Sequence, residues 1–388
     1  MIYMDYNATT PVDPRVLEAM VPFLKDRYGN PSSGHQLGKM AKEAVERARS
    51  QVASLLGARS EEIIFTSGGS ESNNTVIQGV ARAHRGKPRH IVTAQSEHPS
   101  VLEPCRVLEA EGVEVTFLPV DRYCKVDPED VRRAIKPHTI LVSIMHANNE
   151  VGTIQPISEI SRIAREAGVL FHSDASQSVG KIPVKVSELG VDLLTVAGHK
   201  LYAPKGIGAL YVREGVKIPP LIHGGSQEMG KRAGTESVPL VVGLGEACSI
   251  SESALQEEGN RLRDLRDALH RELSEKFRKL VLNGHPQERL PNTLNVSFPG
   301  YLGVSILEEL GEICASVGSA CHEGSAETSP VLRAMGVPQE VAMGAIRFSL
   351  GRWSTQEEVD RVAEAIGTWA KGKRRGLKGW VGRLLGRG

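Results

Sequence analysis

The chain has 388 residues, 40% hydrophobic and 24% charged, with a formal net charge of +1. This length suits two domains, and the ordinary balance of apolar and charged residues excludes disordered and fibrous classes. Charge is uneven, since Lys371, Lys373, Arg374, Arg375, Lys378, Arg383 and Arg387 fall in residues 371–388 without an acid, leaving 40 basic against 46 acidic residues elsewhere, a net of −6; the body needs no polyanion, whereas the tail could take one.

The N-terminus, Met1 to Asn7, has neither a basic n-region nor an apolar h-region, so it does not read as a signal peptide. No run of 18 apolar residues is present to span a membrane. Residues 3–11 are extended and turn-rich. Asn7, Ala8, Thr9 and Thr10 have the small polar character of a pocket lining, and a frayed terminus is the plain alternative. The loop 29–35 leads into a periodic helix from about Gln36 to Leu56, closed by Gly57.

Ile63 to Thr66 reads as a strand and runs into Ser67-Gly68-Gly69-Ser70-Glu71-Ser72-Asn73-Asn74, where a helix starts. Glycines that admit close approach, free N–H groups and a helix dipole together make a phosphate site. An ordinary capped helix explains the same residues, because Ser67 and Ser70 are good caps. The spacing does not match a Walker loop, which disfavours a nucleoside triphosphate.

Strands and helices then alternate. Strands are expected at 90–94, 113–118, 139–145 and 169–172, and helices at 100–111, 127–135 and 156–167. This is the pattern of an α/β protein: a mostly parallel sheet, helices on both faces, and ligands at the carboxyl ends of the strands. Polar loops follow those ends: Glu97-His98, then His146 to Thr153, then Ser173 to Ser178. Several loops carrying His, Asn, Asp and Gln toward one edge point to a site.

The stretch Ala197-Gly198-His199-Lys200 follows the apolar run 191–196 and precedes a Pro/Gly turn and a second strand, 207–212. A lysine at the mouth of a buried strand suits a reactive amine whose pKa is lowered by desolvation. Beyond residue 212 lie a Gly-rich basic loop, residues 223–237, and a long helix from about Pro239 to Lys279, expected to break near Gly259. A smaller α+β unit follows, with strands at 293–298 and 345–350 and a last helix near 355–369. The expected domains are a terminal segment 1–14 packing on the small domain, a large domain 15–255, a small domain 256–370, and a disordered basic tail 371–388.

The five cysteines, at 105, 124, 248, 314 and 321, are odd in number and widely spaced, which argues against a disulfide framework or a zinc site and for a reducing cytoplasm. Four sit in or near helix and strand patterns and read as structural. Cys321 lies in residues 315–330, which have almost no large apolar side chain, and so reads as a thiol on a mobile surface loop. It is either a nucleophile or an incidental thiol.

Together these motifs resemble the cysteine desulfurase and selenocysteine lyase branch of the class V aminotransferases. The resemblance is carried in order by residues 3–10, 66–74, 148–152, Gly198-His199-Lys200, Gly318 to Cys321 and 346–352. It implies a fold-type-I transferase with pyridoxal 5′-phosphate (PLP) on Lys200 as a Schiff base. Gly69, Ser70 and His199 would hold the phosphate, with Thr235 from the second subunit of a homodimer. His98 would stack on the ring and manage the substrate thiol proton, Asp174 would pair with the ring nitrogen, and Gln177 would bond the ring hydroxyl. Asn149 and Arg347 would hold the substrate carboxylate. Lys200 would act as base, and Cys321 would take sulfur as a persulfide.

The implied substrate is L-cysteine, with L-selenocysteine as the alternative. An iron–sulfur scaffold or a thiolation pathway would receive the sulfur. A different class, a PLP-fold scaffold or regulator, would not need Lys200, Asp174, His98 and Cys321 together. Two departures stand out. Ala197 occupies a position where the family often has a phosphate-binding serine, so Thr195 or backbone would have to compensate. The tail beyond Trp369 differs from the segment by which housekeeping desulfurases dock their scaffold.

Overall fold

The structure is a computed structural model that describes residues 1–322 and 325–384, with side chains outside 319–327 and 374–384. In chain order the elements of the first half are β1 (Ile2–Tyr3), α1 (Pro14–Lys25), α2 (Gln36–Leu56), β2 (Ile63–Thr66), α3 (Gly69–Ala83), β3 (His90–Ala94), α4 (Pro99–Ala110), β4 (Glu114–Leu118), α5 (Pro128–Ala134), β5 (Thr139–Ser143), α6 (Ile157–Glu166), β6 (Leu170–Asp174), α7 (Val186–Leu189), β7 (Leu193–Ala197) and β8 (Gly208–Val212). The second half comprises α8 (Val238–Lys276), β9 (Val281–Asn283), β10 (Thr293–Ser297), α9 (Gly303–Leu310), β11 (Ile313–Cys314), β12 (Ser316–Val317), β13 (Ser319–His322), β14 (Ser325–Thr328), α10 (Pro330–Ala334), α11 (Gln339–Ala342), β15 (Ala345–Ser349) and α12 (Gln356–Leu384).

The large sheet has the order β2-β8-β7-β6-β5-β3-β4. Its strands run parallel except β8, which is antiparallel to both neighbours. The short connection from Ala197 to Gly208 explains this reversal, because a parallel return would need a full crossover. β2, β3, β5, β7 and β8 are buried along their whole length, as expected for strands covered on both faces. α2 ends at Gly57, whose φ of 64° is the left-handed conformation that closes a helix.

The second sheet, β12-β15-β10-β9, is antiparallel throughout. Its core joins Leu294, Val296, Ile346 and Phe348 to Leu262, Leu269 and Leu273 of α8 and to Val359, Val362 and Ile366 of α12. The N-terminus belongs to this core as well. Ile2 and Met4 are buried in it, and β1 pairs in parallel with β11.

Three sequence expectations change here. The long helix does not break near Gly259; α8 is continuous from Val238 to Lys276. One glycine costs about 1 kcal/mol relative to alanine, and α8 is held at both ends. Val241, Leu244, Ala247 and Cys248 pack in the large core, and Leu262, Leu265, Leu269 and Leu273 in the small one. The last helix, expected to stop near Trp369, continues to Leu384, and Trp369 and Lys373 both bond Glu309 of α9. The stretch around Cys321 contains an antiparallel strand pair, β13 with β14. Among the described residues, α8 alone has the length and an apolar window (mean hydropathy 1.3) that could span a bilayer, and half of that window is buried within the protein.

Candidate active site

The carboxyl ends of β2, β3, β5, β6 and β7 surround a cavity of ≈ 330 Å³. Of the residues named from sequence, Gly69, Ser70, His98, Asn149, Asp174, Gln177, His199, Lys200 and Arg347 all line it. Thr235 does not line it and is exposed on the 223–237 loop. Cys321 is in β13, and its side chain lies outside the described residues.

Lys200 leaves the end of β7 in a short 3-10 turn, Gly198–Lys200. Its Nζ donates to the carbonyl of Asn7 at 2.5 Å and to that of Ala8 at 2.8 Å. Burial, together with the Arg347 charge, lowers its pKa to about 8, against the pull of Asp174 and Asp5. Asn7, which composition left between pocket and frayed end, is almost fully buried. Its side chain bonds Thr293, Asn292 and the carbonyl of Asn149, and its carbonyl receives both Lys200 and Gln177. Only the folded chain brings residue 7 against residues 149, 177, 200 and 292, so no local signal in the sequence reveals this role.

Asp174 ends β6 with its carboxylate held from two sides. Oδ1 accepts the Ser176 N–H at 2.9 Å, and Oδ2 accepts Asn73 Nδ2 at 2.7 Å. Asn73 is on the first turns of α3 and also bonds Ser100. It thus ties the Gly-rich helix start to the acid, a contact that sequence reasoning missed.

His98 caps α4. Its Nδ1 accepts the Ser100 N–H at 3.1 Å and lies 2.7 Å from the Ser100 hydroxyl. A ring nitrogen that accepts a backbone N–H carries no proton, so neutral His98 is the Nε2–H tautomer. Burial lowers its pKa, and Lys200 adds to that against the opposing attraction of Asp174. His199, bonded at Nδ1 to Thr9 Oγ1 at 3.1 Å, falls to about 4 through burial and the neighbouring lysines.

At the far side, Arg347 from β15 donates to Asp5 Oδ1 (2.7 Å), Ser316 Oγ (2.8 Å) and the Asn149 carbonyl (3.0 Å). Its Nε is buried without a partner among the described residues. The protein uses three of the five guanidinium N–H donors, so Arg347 keeps two for an incoming acceptor.

The gap left by Ala197 is not filled by Thr195. That side chain is fully buried and faces His172 Nε2 at 3.1 Å. Ser176 stands there instead, on the cavity wall, with its Oγ 2.9 Å from where a Cβ on Gly69 would sit. Its place could not be read from sequence, because the β6 and β7 ends meet only through sheet pairing.

Known proteins resemble this chain over most of its length. The model of the family "Aminotransferase class-V" matches residues 2–362. A cysteine desulfurase IscS of Dictyoglomus turgidum is 52% identical, over 94% of this chain and 93% of its own length. Among solved structures, a NifS-like protein superposes with a TM-score of 0.90 at 41% identity, covering 95% of this chain and 99% of that one. SspA in complex with cysteine gives a TM-score of 0.82 at 37% identity, over 92% of this chain and 100% of that one. The chain belongs to the class V aminotransferases, in their cysteine desulfurase branch.

Proposed function

We propose that this chain is a PLP-dependent cysteine desulfurase, releasing L-alanine from L-cysteine and passing the sulfur to Cys321 as a persulfide. One observation carries the reading: a lysine of lowered pKa, a doubly held aspartate and an arginine with an unused donor converge on one cavity. The names of the relatives, and the solved complex of SspA with cysteine, support the choice of substrate.

The cavity fits PLP. At one end α3 starts at Gly69, directly after Gly68 with its φ of 149°. A Cβ on Gly69 would come 2.9 Å from Ser176 Oγ and 3.3 Å from Ala197 Cβ, so the space beside the helix start depends on glycine. Free N–H groups of a first helical turn bind phosphate oxygens there, with Ser70, Ser176 and His199 around them. Asp174 suits a protonated pyridine nitrogen, Gln177 the ring oxygen, and Lys200 the aldehyde. Bound there, the cofactor supplies an electron sink for charge that develops on the substrate.

The protein's own groups do the rest. Arg347 and Asn149 hold the carboxylate of cysteine, Arg347 through guanidinium donors that the protein leaves unused. Lys200, with a pKa near 8, is neutral often enough at physiological pH to remove the Cα proton. His98 keeps Nδ1 on the cap of α4, so its service to the substrate sulfur is donation from Nε2–H, not acceptance of the thiol proton at that atom. The Cys321 thiolate then attacks the substrate sulfur. An S–S bond forms as the C–S bond breaks, its electron pair goes to carbon, and a proton follows. Cysteine and thiol become alanine and persulfide, with no external oxidant.

Three further parts belong to the same reading. Thr235, exposed and off the cavity, serves the phosphate of a second copy in a homodimer. The sulfur goes on to an acceptor such as an iron–sulfur scaffold. The setting is a reducing cytoplasm, because a persulfide needs reduced thiols nearby.

The test uses purified protein with PLP and L-cysteine, following alanine and protein-bound persulfide. Wild type is expected to yield both. Cys321→Ala is expected to keep the yellow cofactor band and lose the persulfide, and full sulfur transfer by that variant would remove Cys321 from the reaction.

A further inference from the structure

A second lysine lies beside the cavity and has no part in the steps above. Lys181 follows Gln177 by four residues in the turn after β6, and its Nζ donates to Gln177 Oε1 at 3.0 Å. Gln177 donates from Nε2 to the carbonyl of Asn7 at 3.0 Å, the oxygen that also receives Lys200. A glutamine amide has one accepting end and one donating end, and a lysine ammonium can only donate. Lys181 and the Asn7 carbonyl, which can only accept, therefore fix together which way the amide faces: Oε1 is drawn back to the lysine, and Nε2–H is turned toward Asn7 and the cavity that Gln177 lines.

Other charges act on Lys181. Lys200 and Arg347 are of like sign, and Glu258 of α8 is opposite. Burial and the two cations lower its pKa to about 7, yet the amine keeps N–H donors in either protonation state.

We propose that Lys181 is a positioning residue for the cofactor: it locks the Gln177 amide so that Nε2–H is presented to the ring oxygen of PLP. This rests on the cofactor reading above. A fixed donor at that oxygen stabilises its deprotonated form, so loss of the lock weakens cofactor binding and raises the pH at which the visible band of the bound cofactor changes.

Apoprotein is titrated with PLP, and the visible band is recorded against pH for wild type, Lys181→Met and Lys181→Arg. Lys181→Met is expected to bind PLP about tenfold more weakly, the loss of one charge-assisted hydrogen bond, with its spectral midpoint raised by about half a pH unit or more. Lys181→Arg keeps a donor and is expected to restore both. In a Gln177→Leu background, Lys181→Met should add nothing further. Circular dichroism checks folding, and if Lys181→Met does not fold, Lys181→Gln, too short to reach Oε1, should give the same two shifts. Wild-type affinity and midpoint in the folded variant would overturn the proposal, as would full effects persisting without Gln177. If wild-type apoprotein takes up no PLP at all, the cofactor reading fails first and this inference with it.

Discussion

Lys200 shows how much chemistry a single burial event can set. Moving an ammonium out of water disfavours its charged form, and Arg347 pushes the same way, so the amine is half neutral near pH 8 instead of above 10. Only the neutral amine adds to an aldehyde. The rate at which apoprotein forms its covalent PLP adduct should therefore rise with pH through about 8 and level off above it, as stopped-flow absorbance would record. A rate that keeps climbing past pH 10 would mean an unperturbed lysine. Lys200→Ala should form no adduct at any pH.

Among the elements, α3 and α8 are constrained by their glycines in different ways. At the start of α3 the glycine keeps space for a ligand. Gly69→Val would place a side chain against Ser176 and Ala197 inside the cavity. The helix itself is held by Val76, Ile77 and Val80 in the core, so the variant should fold yet bind PLP at least tenfold more weakly, as read by cofactor titration. In α8 the glycines let helices touch. A Cβ on Gly245 would lie 2.6 Å from Ala48 Cα of α2, and one on Gly243 2.7 Å from Met20 Sδ of α1. The Gln51 amide could swing away from Gly245→Val but the Ala48 backbone could not, so the variant should cost about 1–3 kcal/mol of stability, visible as a lower urea midpoint.

At the scale of the whole molecule, buried histidines make folding depend on acid. His146 is fully enclosed, with Nδ1 2.9 Å from the Ser178 hydroxyl, and burial lowers its pKa to about 4 from 6.5. Well above pH 6.5 neither the folded nor the unfolded chain protonates this ring, and its contribution to stability is complete. As pH falls toward 4 the unfolded chain takes up a proton that the fold refuses, and that stability is lost. Between pH 7 and 4.5 the loss is about 2–3 kcal/mol. His146→Gln should flatten the pH dependence of urea unfolding by that amount, and an unchanged slope would show that the ring is not buried neutral.

The sequence alone carried the alternation of strand and helix, the Gly-Gly turn before α3, and Lys200 at a strand end. Each rests on periodicity or local chain chemistry, which survives without knowledge of the fold. The individual roles of the nine cavity-wall residues named in advance came from family motifs, although local chain chemistry had already marked Lys200 and the stretch with Gly69 and Ser70. What the tertiary structure decided are the contacts between distant segments. Asn7 ties residues 149 and 177 to 292 and 293, Ser176 stands where Thr195 or backbone had been expected, and Asn73 grips Asp174. It also kept α8 whole through Gly259, because a helix gripped by a core at each end tolerates a residue that weakens it locally. Hydrogen bonds between residues 100 or more positions apart depend on strand order and register, and neither is written in any one stretch of chain.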